Sequence, residues 1–337
     1  MIEAGGQPSP TAGLADAAAS IEAMLLGEEP TLTRVEVAER ARVPLELAEA
    51  LWRQLGFPQR GDDDVAFSQC DVDALVSTAE LVRLGVLSEN SQAALVRTWG
   101  RSYARLAEWQ TTLLAELAIE GDDPEARLAE LATTVLPNVE SLQSYVWRRH
   151  LASAANHLIR DAAVLEEGGA ELTVCFIDIV GYTARSRGLE GSELVSWVEQ
   201  FEQETTLLVV DHSGQVIKTI GDEILFTVGT PAAAVEIALA LTARGADQDD
   251  PFPAVRVGIA HGPVVRRLGD VFGSTVNAAA RLTSAARPGT VVVDQGVHEA
   301  LGPHDASDLR WRKLRRVSAK GFTHLDAWRV KPPRDSS

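Results

Sequence analysis

Residues 172–183 read LTVCFIDIVGYT, and residues 214–228 read GQVIKTIGDEILFTV. The first is an apolar, β-rich run that carries a single charge, Asp178, shortly before Gly181. The second holds two short β-like runs, 214–219 and 223–228, separated by Gly221-Asp222, and this spacing predicts a hairpin. Outward from there, helical periodicity covers 191–211, 231–245 and 274–287, and strand patterns cover 255–260 and 290–294. The order β-α-β-β-α-β predicts a ferredoxin-like α+β sheet with its helices on one face.

Upstream the period is helical throughout. Apolar residues recur at three- and four-residue spacing over 13–26, 35–55, 72–84 and 91–119. A further segment, 124–165, is expected to break near Pro137, because proline removes a backbone donor. Thr33 and Glu36 have capping-box spacing, and Gly168-Gly169 supplies a helix stop. The expected organisation is an all-α domain with a connecting helix over 1–165, followed by an α+β domain over 170–331.

Composition bounds the function. With 337 residues and 45% hydrophobic content, the chain can bury a core in each of two domains, so a wholly disordered chain is excluded. Two cysteines, Cys70 and Cys175, make neither a disulfide framework nor a zinc set, and both are expected as buried apolar fillers. No run of about 18 uncharged apolar residues suggests a membrane span. The N-terminus lacks a basic segment leading into an apolar one, so a cytoplasmic protein is expected. The net charge of −17 argues against a protein built to coat nucleic acid. Most of that charge, −12, falls in residues 1–150, whereas residues 310–320 carry six basic side chains and no acidic one.

Asp178 and Asp222 carry the chemistry. Asp178 ends an apolar strand, where a charge is costly unless paired or bound to metal. A β-α-β-β sheet pairs that strand beside the hairpin, so both carboxylates can meet at one sheet end and serve a pair of Mg²⁺ or Mn²⁺ ions. Gly181 allows backbone amides to approach a triphosphate closely. A bland reading of Asp222 as an ordinary turn residue competes with this one.

FIDIVGYT, IKTIGDEI, GDVFGSTVNAAARL and SAKGF together resemble the catalytic domain of class III adenylyl cyclases, in family order, over about residues 170–330. The resemblance implies a palm-type cyclase domain preceded by a helical regulatory domain. It implies metal binding at Asp178, Ile179 and Asp222, and adenine reading by Lys218 and Asp270. It also implies ribose and α-phosphate contacts from Asn277 and Arg281, and triphosphate binding by Lys320. ATP is then the substrate, two divalent ions serve each site, and a head-to-tail homodimer builds two composite sites. Asn277 and Arg281, four apart, share one helix face. The alternatives are a guanylyl cyclase, or a silent nucleotide-binding or dimerisation module. A diguanylate cyclase would share the IGDEI hairpin but lacks the Asn277/Arg281 helix.

Residues 32–57 read as helix, turn, helix, similar to the DNA-reading unit of transcription regulators. Its second helix carries Glu46 and Glu49 against a single Arg53, which opposes phosphate contact, so DNA binding is not expected. His150 and His157 lie seven apart on the connecting helix, beside Arg148 and Arg149. Protons at these histidines, or a small apolar ligand between the Leu- and Ala-rich helices, are the candidate regulatory signals.

Overall fold

The computed structural model describes residues 22–85, 89–119, 124–165, 171–267, 269–301, 309–314, 317–319 and 322–332. The chain divides into two compact units, Met1–Ala155 and Asn156–Ser337.

In the first unit, α1 (Arg34–Ala41), α2 (Leu45–Leu55) and α3 (Gln69–Arg83) enclose a small core of Val37, Ala48, Leu51, Val72 and Leu75. The capping box is present: Thr33 N–H donates to Glu36 Oε2 (2.8 Å), and Glu36 N–H donates to Thr33 Oγ1 (3.3 Å). Arg42, in the left-handed region at φ 57°, ends α1 and turns the chain into α2. α4 (Glu89–Ile119) crosses α2 at Gly100, where an added Cβ would lie 2.4 Å from the Leu55 carbonyl oxygen.

α5 (Pro124–Leu165) runs unbroken through Pro137, contrary to the expected break. Pro137 is exposed, and Asn138 Nδ2 donates to Thr134 O (3.0 Å) in the same turn. Cys70 is also corrected, being exposed rather than buried. It opens α3, where its N–H donates to Glu28 Oε1 (2.6 Å) and its Sγ lies 3.6 Å from Leu26 O. The Glu28 carboxylate holds this thiol above its ordinary value, and burial does the same for Cys175.

The second unit opens with β1 (Glu171–Ile179), α6 (Tyr182–Ser186) and α7 (Gly191–Asp211). The hairpin β2 (Gln215–Ile220) and β3 (Glu223–Val228) follows, then α8 (Pro231–Arg244) and β4 (Val255–Pro263). A short hairpin of β5 (Val265–Arg267) and β6 (Asp270–Phe272) leads into α9 (Ser274–Ala285), β7 (Val291–Asp294) and α10 (Gln295–Ala300). The C-terminal strands are β8 (Arg310–Lys313), β9 (Val317–Ala319), β10 (Phe322–Leu325) and β11 (Ala327–Lys331).

The main sheet has the order β2-β3-β1-β4-β7-β11-β8. Its first four strands are antiparallel neighbours, as in a ferredoxin-like unit, and β7 adds parallel to β4. β1 is buried from Leu172 to Ile179 because both sheet faces are covered. Cys175, Ile177 and Ile179 pack with α7, α8 and α10, while Val174 and Phe176 pack with α9. The expectation of helices on one face therefore fails for α9. Gly258 on β4 is the physical reason, since α9 passes so close that an added Cβ would meet Thr283 N at 2.2 Å and Ala279 O at 2.4 Å.

Among the described residues, no helix is long and apolar enough to cross a membrane.

Candidate active site

Asp178, near the end of β1, stands on the α9 side of the sheet, in line with Val174 and Phe176. The register sets Glu223 of β3 and Arg256 of β4 directly beside it. Arg256 donates from Nε (2.6 Å) and lies 2.5 Å away through Nη2, both on Asp178 Oδ2, so Oδ1 takes neither contact. Asp178 is only 9% exposed, and this guanidinium supplies the counter-charge that its burial demands.

Asp222 reaches the same place from the hairpin tip. Gly221 takes φ 65°, and Ile179 N–H donates to the Asp222 carbonyl (3.2 Å), tying the turn to the end of β1. Burial raises the Asp178 carboxyl, Arg256 opposes that rise, and the neighbouring Asp222 adds to it. Burial first, then Asp178 and Asp222, push Glu223 to about 7. Three carboxyls thus crowd one sheet end with a single arginine beside them, an excess of negative charge suited to a divalent cation.

No group of three or more His, Cys, Asp or Glu among the described residues is arranged to hold a metal by itself. Two aspartates completed by water, phosphate and backbone oxygens match the usual magnesium shell. Ile179 is buried at 2% exposure and has an apolar side chain, so its backbone carbonyl is the only oxygen it can offer. Gly181 takes φ 74°, and nothing lies within 4 Å of an added Cβ, so backbone conformation rather than crowding calls for glycine.

Lys218 owes its position to a β-bulge. Val216 pairs with Phe226 and Lys218 with Leu225, leaving Ile217 as the extra residue. A regular register would place Lys218 opposite Ile224, on the α7 side, whereas the bulge turns it to the α9 side. There Nζ meets Asp270 Oδ2 of β6 at 2.5 Å, and Asp270 Oδ1 also accepts from Val271 N–H (2.9 Å). Asn277 and Arg281 occupy successive turns of α9, whose buried side is Thr275, Ala278, Ala279, Leu282 and Thr283. Asn277 is exposed and Arg281 half-buried.

Lys320 lies outside the described residues, as does the His157 side chain. His150 is exposed on α5. Glu223 and Arg256 went unnoticed in the sequence, although a charge alternating with valines at Val255-Arg256-Val257, beside a strand holding a buried aspartate, was a usable signal.

Glu223 has a measurable consequence for stability. An unfolded glutamate ionises near 4.5, so between that value and about 7 the folded chain holds a proton the unfolded chain has released. This contribution makes stability fall as pH rises through the window. In thermal melts of the metal-free protein, the wild type should lose stability relative to Glu223→Gln between pH 5 and 7. A difference that stays flat would contradict the shift.

Residues 165–331 match the family described as the adenylate and guanylate cyclase catalytic domain. An adenylate cyclase of Streptomyces coelicolor is 40% identical over 83% of this chain and 74% of its own length. One from Glutamicibacter nicotianae is 38% identical with the same coverage. The adenylyl cyclase CyaB of P. aeruginosa, a crystal structure, aligns with 50% of this chain and 96% of its own at 23% identity and TM-score 0.41. The chain belongs to the class III nucleotide cyclase family, with a mixed α/β cyclase palm and a helical region before it.

Proposed function

We propose that this chain converts ATP to 3′,5′-cyclic AMP and pyrophosphate, at sites each completed by two copies of the chain. The observation that carries the substrate is the Lys218–Asp270 pair at 2.5 Å. The ammonium can donate to adenine N1, and the carboxylate can accept from the 6-amino group. In the same pose guanine presents N1–H to the lysine and O6 to the aspartate, a mismatch at both atoms.

Mg²⁺ or Mn²⁺ ions held by Asp178, Asp222 and the Ile179 carbonyl would lower the pKa of the ribose 3′-OH and offset the triphosphate charge. Asn277 orients the ribose so that O3′ lies in line with Pα. O3′ gives its proton to solvent water and bonds to Pα, the bond from Pα to the bridging oxygen breaks, and pyrophosphate leaves with that oxygen. Arg281 supplies a planar, permanent cation to the charge on the α-phosphoryl oxygens, and Lys320 one to the departing phosphates. Arg256 opposes the rise that burial imposes on the Asp178 carboxyl and orients it.

The homodimer reading is supported by the surroundings of the adenine pair. Ile220, Val265 and Phe272 on β2, β5 and β6 are 49%, 63% and 50% exposed, an apolar rim suited to a second copy. Asp178 and Asp222 would then come from one copy, and Lys218, Asp270, Asn277, Arg281 and Lys320 from the other. Residues 1–165 regulate closure of sites in the domain 170–331, through protons at His150 and His157 or a small apolar ligand. A pH–activity profile unmoved in His150→Ala/His157→Ala would dismiss the histidines.

The test is product formation by the full chain with Mn²⁺ and either ATP or GTP. Cyclic AMP is expected, with at least tenfold less cyclic GMP. A preference for GTP would overturn the base assignment, and silence with both would make the domain a binding module.

A further inference from the structure

We propose that α4 carries a second contact between two copies of this chain, in which the helix packs antiparallel against its mate about a two-fold axis at Gln110. The choice of occupant rests on the homodimer reading; the geometry comes from α4 itself.

α4 is 31 residues long, but among the described residues its hold on the rest of the unit is at its N-terminal end, through buried Val96 and through Gly100 against α2. From Arg101 to Leu117 every residue is exposed or half-exposed. Helices in proteins draw most of their stability from packing of an apolar face, and this one has such a face with nothing described upon it. Tyr103, Leu106, Leu113 and Leu117 are 54%, 43%, 44% and 43% exposed and follow alternating three- and four-residue spacing, with Gln110 filling the central place. Exposed Trp109 widens the stripe on one side. Side chains of this size offer roughly 500 Å² per copy, so two copies reach the ~1,000 Å² that a specific interface needs.

The pattern reads nearly the same in both directions about Gln110. In an antiparallel pair Tyr103 faces Leu117 of the second copy, and Leu106 faces Leu113. The same flank of each helix also comes together. That flank carries Arg105 and Glu116, three turns apart, so each arginine meets the other copy's glutamate. The opposite flank, with Ala107, Thr111 and Leu114, is uncharged, so a parallel pair would leave Arg105 and Glu116 facing apolar or hydroxyl groups. Gln110 meets its mate on the axis, where a polar residue in an apolar seam fixes register.

Disulfide trapping of the full chain tests this arrangement. In a Cys70→Ser background, Gln110→Cys is expected to cross-link into a covalent dimer under mild oxidation, whereas Glu108→Cys, on the far side of α4, is not. Adding Arg105→Glu should lower the Gln110→Cys yield at least fivefold, and Arg105→Glu/Glu116→Arg should restore it. Equal cross-linking at both positions, none at Gln110→Cys, or a yield indifferent to Arg105→Glu would overturn the proposal. Catalytic sharing is read separately, by activity recovered from co-expressed site variants. Cross-linking without recovery would retire the composite site and keep this contact, and the converse would do the reverse.

Discussion

Asp222→Ala is expected to lower cyclic AMP formation by roughly 10³-fold or more, the scale of several kcal/mol lost from a transition state that depends on metal. The loss should come without unfolding. Asp222 sits at a hairpin tip, half-exposed, and contributes its carbonyl rather than its side chain to the bond from Ile179 N–H (3.2 Å). Its carboxylate raises the Asp178 carboxyl, so the alanine variant should melt at or above the wild type in metal-free buffer, and should gain less stability when Mn²⁺ is added. Asp178→Asn is a less clean probe, because it removes the counter-charge of Arg256, whose Nε and Nη2 both contact Asp178 Oδ2. Assays and thermal melts of Asp222→Ala settle the matter together: an active variant, or an inactive one that no longer folds, would contradict this role.

Gly258→Val carries the largest expected effect on stability. A β-carbon there would lie 2.2 Å from Thr283 N, 2.4 Å from Ala279 O and 2.5 Å from Thr283 Oγ1, and the first two are backbone atoms of α9. Either the helix moves off the sheet or β4 distorts, at a cost of about 3 kcal/mol or more, which for a unit of this size lowers Tm by roughly 10 °C. Because α9 carries Asn277 and Arg281, activity of the molecules that remain folded should fall too. Gly221→Ala makes the contrast: φ is 65° but nothing lies within 4 Å, so only backbone strain of about 1 kcal/mol is expected. Melting curves that rank these two variants equally would show that the close approach of α9 does not matter.

These two glycines also mark how far sequence reasoning reaches. Gly221 was legible, because a Gly-Asp pair between two β-like runs is a local signal, and the meeting of Asp178 with Asp222 followed from the hairpin lying beside the first strand. The face taken by α9 was not legible, since it depends on Gly258 of the strand meeting Ala279 and Thr283 of the helix, which lie far along the chain from it. Lys218 stood out as a charge, but its side of the sheet is decided by the bulge at Ile217, a register shift set jointly with β3. Arg256 escaped notice for a related reason: it matters only because β4 lies next to β1 in a register that pairs it with Asp178. Pro137 misled because proline costs a helix one hydrogen bond and one close contact, a local penalty that the long helix α5 absorbs at an exposed position. Local patterns predicted the elements; the partner across the sheet decided what each charge could do.

The most direct measurement of a shared active site is co-expression of Asp222→Ala with Asn277→Ala, each inactive alone. In a head-to-tail pair, one of the two sites then carries both defects and the other carries neither. With random pairing, half the dimers are mixed, so the preparation should recover roughly a quarter of wild-type cyclic AMP formation. No recovery, with both variants folded and present in equal amounts, would contradict catalysis at sites completed by two copies.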